Sequence, residues 1–302
     1  MRMSAGVLQK LDRAQQNSTP LSVAVATVKK FSEDQSANLA AMIAFWAFFS
    51  VFPLFLVLVT LLAIFLPTSD KNSVLGHVAE MFPLLDPRTV SGLSGAWWTI
   101  ALGLATALWS GSGVVRTAQF AFNSVWGIPP GEQPGLVKQT LRSVTVLATI
   151  GAGLVLTTLL SGLVASSSSG VNLGAVARVA GYVLSAALDV GIFLAAFRIL
   201  TDRDVTIRDV LPGAILSGIA FFVLQELSTL IISRYLKNAQ STYGHFATVI
   251  TILWWFYLQS IITLFGAQLN VVLKQHSYPR SLTGAAQPDE GKRAPAAAGR
   301  AP

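Results

Sequence analysis

Residues 246–273 read FATVITILWWFYLQSIITLFGAQLNVVL, a run without a single charged side chain. A helix needs roughly 20 mostly apolar residues to cross about 30 Å of hydrocarbon. Because lipid offers the backbone no hydrogen bonds, a run of this length is predicted to be a helix and not a strand. This stretch therefore predicts a membrane-spanning segment close to the end of the chain.

Five earlier apolar runs repeat this pattern. The predicted spans are Asn38–Leu66, Ala96–Val115, Ser143–Ala165, Val176–Ile199, Leu211–Ser233 and Phe246–Leu273. Only 12% of the 302 residues are charged, whereas soluble domains carry about 25%. We expect an all-α, polytopic membrane protein, a six-transmembrane-helix bundle at 32–275. A polar lead at 1–31 precedes the bundle, and a disordered tail follows at 276–302.

The lysines and arginines lie mostly on one side of these spans. The other side holds only Lys71, Arg88, Arg178, Arg234 and Lys237, out of 21 lysines and arginines. The positive-inside bias then predicts that both termini are cytoplasmic. This orientation accounts for most of the net charge of +7, so no nucleic-acid partner is predicted. The absence of cysteine excludes disulfides and thiolate metal sites.

The start of the first span carries two local predictions. Residues 21–31 could form a helix on the membrane surface, with Lys29 and Lys30 near anionic headgroups, or serve only as an orientation signal. Ser32, with Gln35 three residues later, is typical of a capping box. Ser32 is therefore predicted to cap the first span.

Within the first span, Pro53 predicts a helix kink, because proline removes one helical hydrogen bond and clashes with the preceding turn. Ser50 is expected to donate to a carbonyl that the proline leaves free.

The fourth span carries an acid near its middle. Ala177, Gly181, Ser185 and Asp189 recur every four residues and so share one helix face. The three small side chains predict a close helix neighbour. An ionised carboxylate at this depth costs about 2.5–3.5 kcal/mol on insertion scales. Asp189, with Ser185, is thus either part of a proton or substrate pathway or a structural hydrogen-bonding group.

Further polar candidates lie in the last two spans. Glu226 and the adjoining Gln225 are pathway candidates, and Arg234 could pair with Glu226. Gln268 and Asn270 in the sixth span are also pathway candidates, although as neutral groups they are more typical of contacts that join helices.

Soluble-enzyme signatures are absent from the sequence, which contains neither a phosphate-binding P-loop nor HExxH. No catalytic residue, metal or cofactor is therefore predicted. A metal-dependent nuclease needs clustered carboxylates or histidines, and the inner loops contain four acids, but without a recognised ligand spacing. Arg203 and Arg208 are interleaved with Asp202, Asp204 and Asp209, which instead predicts a solvated loop and a helix cap there. The four acids are Glu132, Asp202, Asp204 and Asp209.

Several spaced motifs over residues 30–275 resemble the YihY/BrkB family of bacterial membrane proteins. The motifs are DQSANLAAMIAF at 34–45, ending in Phe45; FSVFP at 49–53, with Ser50 and Pro53; Asn123 before Trp126-Gly127; LPGA at 211–214, with Gly213; Tyr243-Gly244; LWWFY at 253–257; and GAQLN at 266–270, with Gly266 and Asn270.

The resemblance implies six transmembrane helices in the bacterial cytoplasmic (inner) membrane. The family that the chain resembles was formerly labelled ribonuclease, a label that is generally regarded as misassigned. The resemblance also implies links to virulence, serum resistance and envelope lipid handling. Two residues depart from the family pattern: Gln268 stands where Glu is frequent, and Gln133 where Arg is common.

Three functions follow from these observations. The first is a transporter or flippase-like carrier of envelope lipid or another amphiphile, with membrane lipids as partners. The second is a non-catalytic scaffold, docked through a short amphipathic outer helix predicted at 74–82. The third is a ribonuclease. The small-residue faces also make a homo-oligomer plausible.

Overall fold

A computed structural model describes residues 18–65, 97–133, 135, 138–146, 149, 174–227 and 246–280. Their regular structure is helical throughout, which confirms the all-α class, and no strand occurs in these ranges. A 3₁₀ turn covers Pro130–Glu132, and residues 138–146 are helical. The long helices are α1 (Thr19–Glu33), α2 (Ser36–Phe65), α3 (Trp97–Val125), α4 (Gly174–Leu200), α5 (Ile207–Glu226) and α6 (Phe246–Lys274).

Three segments of these helices are long and apolar enough to cross a membrane, namely Tyr182–Leu200, Ile207–Gln225 and Val249–Lys274. They correspond to the predicted fourth, fifth and sixth spans. Helices α2 and α3, of 30 and 29 residues, also exceed the roughly 20 residues that a crossing needs. The predicted third span lies mostly outside the described residues, so the count of six stays a prediction.

Helix α6 is the centre of the bundle. It packs against α1, α2, α3 and α5, while α2 pairs with α3 and α4 pairs with α5. Its buried face includes Leu264, Val271 and Val272, each without solvent exposure. Phe122 of α3 and Phe197 of α4 meet in the same core, with ring centroids 5.3 Å apart. The core therefore lies where α3 and α4 end.

Glycine allows the backbones of α5 and α6 to touch. A Cβ on Gly213 would lie against the Gly266 carbonyl oxygen and 2.5 Å from the Asn270 side chain. A Cβ on Gly266 would overlap the Ser217 hydroxyl. Small residues at such crossings are how membrane helices gain van der Waals contact.

The junction of α1 and α2 corrects one sequence prediction. Ser32 lies inside α1, which continues to Glu33, and α2 begins at Ser36 after Gln35, whose φ is +50°. The predicted capping box at Ser32 is therefore wrong. Helix α1 continues past Ser32 because Lys30 binds Asp34, which follows it by one helical turn, at 2.5 Å. This ion pair stabilises the final turn of α1.

Residues 21–31 of the lead are helical, as part of α1, whereas their position on the membrane surface stays a prediction. Helix α1 packs on α6 through buried Ala26 and through Phe31, whose ring lies 5.4 Å from that of Phe265. Lys29 pairs with Glu33 at 3.8 Å and Lys30 with Asp34, so both predicted headgroup cations have carboxylate partners.

Helix α2 continues through Pro53 without interruption. The Ser50 hydroxyl donates to the Ala47 carbonyl at 2.7 Å. It does not bond to the Phe49 carbonyl that Pro53 leaves free, because the i−3 carbonyl is within easier reach of a serine on a helix. The kink remains a prediction.

Candidate functional site

The helix ends meet at one end of the bundle, which we call the polar end. It comprises the junction of α1 and α2, the ends of α3, α4 and α6, and the beginning of α5. Long-range hydrogen bonds join these segments: Gln268 to Asp34 at 2.9 Å, Asn123 to Asp202 at 3.0 Å, and Lys274 to Asp209 at 2.7 Å. The beginning of α2 and the end of α6 are therefore on the same side of the bundle.

Gln268 holds α6 to the junction of α1 and α2. Its Nε2 donates to the Asp34 carboxylate at 2.9 Å and to the Ser36 hydroxyl at 2.8 Å. The side chain is fully buried, and its Oε1 has no hydrogen-bond partner among the described residues. Lys30 neutralises Asp34 in the same cluster.

Asn270 holds α6 to α5. Its Oδ1 accepts from the backbone N–H of Gly213 at 2.6 Å, and both residues are buried. Ser217 adds a second link, because its hydroxyl donates to the Ile262 carbonyl at 3.1 Å. Gln268 and Asn270 therefore join helices, as the neutral character of their side chains indicated.

Asp202 is the most enclosed acid of the polar end, with a side chain only 7% exposed. Asn123 contacts it twice: Nδ2 donates to the carboxylate, and Oδ1 accepts from the Asp202 backbone N–H, both at 3.0 Å. Arg142 forms an ion pair with the carboxylate, and Lys138 Nζ lies 3.6 Å from it. The prediction of a solvated loop holds for Arg203 and Asp204, which are exposed, but it is wrong for the Asp202 side chain, which partners from distant helices enclose.

Lys274 connects three elements. Its Nζ donates to the Asp209 carboxylate at 2.7 Å and to the Asp204 carbonyl at 3.3 Å, and it lies 5.8 Å from the centre of the Trp126 ring. The Thr206 backbone N–H donates to Asp209 at 2.8 Å, which confirms the predicted cap at this loop.

Asp189 lies apart from this network, within α4. Its side chain is half-buried, and no described residue forms a hydrogen bond or ion pair with it. Ser185, one turn earlier, is also half-buried. The next residue, Val190, contacts Gly218 of α5 so closely that a Cβ on Gly218 would lie 2.6 Å from the valine Cγ2. Helix α4 therefore packs closely on α5 beside Asp189, while the close neighbour predicted for the face of Ala177, Gly181 and Ser185 stays a prediction.

The remaining pathway candidates are less defined. Gln225 is exposed near the end of α5. The side chain of Glu226 lies outside the described residues, as do Arg234, Tyr243 and Gly244. The ion pair of Arg234 with Glu226 stays a prediction.

The other family-motif positions divide by burial. Asn123, Gly213, Gly266 and Asn270 are buried at helix contacts, and Ser50 is buried within α2, whereas Phe45 is half exposed. Sequence reasoning missed Arg142, Lys138 and Lys274 as partners at this end. The family motif before Trp126-Gly127 includes Asn123, and this was the sequence signal that pointed to the cluster around Asp202.

The described residues contain no group of three histidines or acids that could hold a metal ion. Gln133, one of the two departures from the family pattern, has a buried Nε2 without a hydrogen-bond partner in the described part of the chain.

A bundle of apolar helices, with its charged residues interlocked at one end, defines an α-helical membrane protein. The sequence matches the family described as Virulence factor BrkB over residues 27–290. The chain belongs to that family, which confirms the resemblance found in its motifs.

Two relatives are similar to the chain over about four fifths of its length. The chain is 23% identical over 261 residues to the ribonuclease-like protein YfkH of Bacillus subtilis (strain 168), covering 81% of this chain and 92% of that protein. It is 26% identical over 256 residues to a UPF0761 membrane protein of Pseudomonas aeruginosa (strain LESB58), covering 80% of this chain but 60% of the relative. No solved structure matches the chain.

Proposed function

We propose that this protein is a carrier that moves an envelope lipid or a similar amphiphile across the bacterial cytoplasmic membrane. The observation that carries the proposal is Asp189, a half-buried carboxylate inside a segment long enough to span the membrane, with no partner among the described residues. Acids at such positions are expensive, and they mark substrate or proton pathways by default.

The proposed transport is driven by coupling to proton movement. The sequence contains no nucleotide-binding loop, and a carboxylate in a span can alternate between a protonated state and a charged, hydrated state. Asp189 lies about 20 Å along α4 from Asp202, at 1.5 Å per helical residue. The polar end would then close the cytoplasmic side while Asp189 stays within the hydrocarbon region.

Reconstitution in liposomes tests this function. Wild-type protein is expected to speed the transfer of fluorescent phospholipids between leaflets, and D189N to lose at least about tenfold of that rate. D204N is the matched control, because Asp204 is an exposed acid at the polar end. Equal rates for wild type and D189N would remove Asp189 from the mechanism, and an inactive wild type across a panel of envelope lipids would refute the carrier.

A scaffold is the second candidate, and the interlocked polar end favours it because rigid helix contacts suit a passive bundle. Cross-linking in membranes distinguishes the two functions. A scaffold would give a stoichiometric partner protein, or a homo-oligomer that is needed for partner binding, whereas a carrier needs neither.

We propose binding and transport rather than catalysis, although the Bacillus relative is named ribonuclease-like. Asp202 is poorly placed for a nuclease, because Asn123 and Arg142 take up its carboxylate. RNA cleavage by highly purified protein that disappears in an E132Q/D204N double variant would reverse this choice.

A further inference from the structure

Helix α3 holds an arginine well inside its length. The sequence predicts that the second span ends at Val115, whereas α3 continues to Val125, so Arg116 lies nine residues before the helix end. At 1.5 Å per residue this places Arg116 roughly 13 Å from the polar end along α3. The headgroup layer on each side of a bilayer is only about 5–8 Å thick. With the polar end among the headgroups, Arg116 therefore lies at the depth of the hydrocarbon chains.

The Arg116 side chain turns away from the polar end. Its Nε donates to the Ser112 carbonyl at 3.2 Å, and its Nη2 donates to the Ser112 hydroxyl at 3.1 Å. Ser112 lies one turn further from the polar end, whereas an arginine that reaches for the nearest headgroups extends in the other direction. The half-buried guanidinium is thus held at this depth by its own helix.

No acid among the described residues balances this charge, because none forms an ion pair or a hydrogen bond with Arg116. The six predicted spans contain only two acids, Asp189 and Glu226. Glu226 ends α5, which begins at the polar end with Ile207, so it lies roughly 28 Å along that helix. This is roughly twice as far from the polar end as Arg116, so Glu226 is not at its level.

The guanidinium keeps donors for a ligand. Arginine has five N–H groups, and two of those in Arg116 bind Ser112, so three have no hydrogen-bond partner in the described part of the chain. Trp109, two turns before Arg116 on the same face, is 64% exposed, so this face of α3 is open to lipid. A planar guanidinium matches the oxygens of a phosphate in geometry and in charge.

Arg116 and Asp189 lie at nearly the same height in the bundle. Helices α3 and α4 both end at the polar end, and the rings of Phe122 and Phe197 align them, with centroids 5.3 Å apart. Arg116 is six residues before Phe122, and Asp189 is eight residues before Phe197. At 1.5 Å per residue these positions lie roughly 9 Å and 12 Å from the ring contact. An anion at Arg116 would therefore be at the level of the carboxylate assigned to proton coupling.

We propose that Arg116 binds the phosphate of an anionic membrane phospholipid, and that this lipid is the amphiphile carried. The inference rests on the proposed carrier function and names the charged group of its substrate. The phosphate supplies the negative charge that the described residues do not offer. The acyl chains stay in the surrounding bilayer, and local thinning around a deep arginine brings headgroups within its reach.

Native mass spectrometry of the full-length protein in detergent tests the site. Phosphatidylglycerol and diacylglycerol with identical acyl chains are added separately, and the bound lipid is counted. The wild type is expected to retain phosphatidylglycerol preferentially, and R116Q to lose about tenfold of that retention, as expected for hydrogen bonds between charged groups. R198Q is the matched control, because Arg198 is an exposed arginine in the last turn of α4, and it should keep wild-type retention.

Thermal unfolding separates binding from a structural role. Without lipid, R116Q should unfold at the wild-type temperature, because the guanidinium bonds only to Ser112 of its own helix. Phosphatidylglycerol should raise the unfolding temperature of the wild type and of R198Q, but not that of R116Q. A decrease in lipid-free R116Q, with an undiminished response to the lipid, would assign Arg116 to structure and overturn the site.

Two results from the binding measurement would also overturn it, namely equal retention of the two lipids by the wild type and equal loss in R116Q and R198Q. Inorganic phosphate distinguishes the source of the anion. At the concentration of the lipid it should leave phosphatidylglycerol bound, and displacement would mean that the site takes a soluble phosphate instead.

The liposome assay distinguishes failure of this site from failure of the carrier. A wild type that retains phosphatidylglycerol through Arg116 but transfers no lipid would refute the carrier and leave the binding site. A wild type that transfers lipid, with R116Q equal to it in both transfer and retention, would refute the site and leave the carrier. Slower transfer in both D189N and R116Q, with retention lost only in R116Q, supports both proposals.

Discussion

Asp202 shows how a single charged residue can be misjudged from its neighbours in sequence. It lies between Thr201 and Arg203 in a short polar connection, yet its partners Asn123 and Arg142 come from other helices. The Asn123 contact joins residues 79 positions apart. No local pattern encodes such a pair, whereas the cap at Asp209 depends on residues three positions apart and was predictable.

Replacing Asp202 by Ala should destabilise the protein by about 3 kcal/mol, because the Arg142 guanidinium and the Asn123 amide would lose their main partner in a buried setting. Thermal unfolding in detergent measures the effect. D204A is the control, since Asp204 is exposed, and it should change stability by less than about 0.5 kcal/mol. A D202A protein as stable as D204A would show that the cluster contributes nothing.

At the scale of elements, α6 organises the bundle, and its contact with α5 depends on Gly213 and Gly266. The sequence predicted α6 well, because its apolar run is long and uncharged. It also indicated that Gln268 and Asn270 join helices. The segments they reach, Asp34 with Ser36 and Gly213, could not be predicted without the packing of α6 against α1, α2 and α5.

G266A tests the crossing of α5 and α6. The added methyl would overlap the Ser217 hydroxyl, and overpacking of this kind costs about 1–3 kcal/mol. G191A is the matched control on a membrane helix, because nothing lies within 4 Å of the position its Cβ would take. It should be neutral or stabilising by up to about 1 kcal/mol. Equal unfolding temperatures for the two variants would contradict the close contact.

For the whole molecule, the all-α class, three of the six predicted spans and the family were predicted from the sequence and are confirmed. These properties could be predicted because they follow from composition and from motifs whose residues are adjacent in the chain. The cluster around Lys274 of α6 could not be predicted, because its other members come from distant parts of the chain: Trp126 just after α3, Asp204 in the connection before α5, and Asp209 in α5. The sequence did predict that the loops of this cluster share one side, through the distribution of lysine and arginine.

Cysteine labelling tests most directly whether the polar end faces the cytoplasm. The chain has no cysteine, so D204C and S167C each introduce one thiol. Asp204 lies at the polar end, and Ser167 lies between the predicted third and fourth spans, on the side predicted to face outward. A membrane-impermeant maleimide should label S167C in intact cells and D204C only in inverted vesicles. Labelling of D204C in intact cells, or of both variants from the same side, would contradict the account.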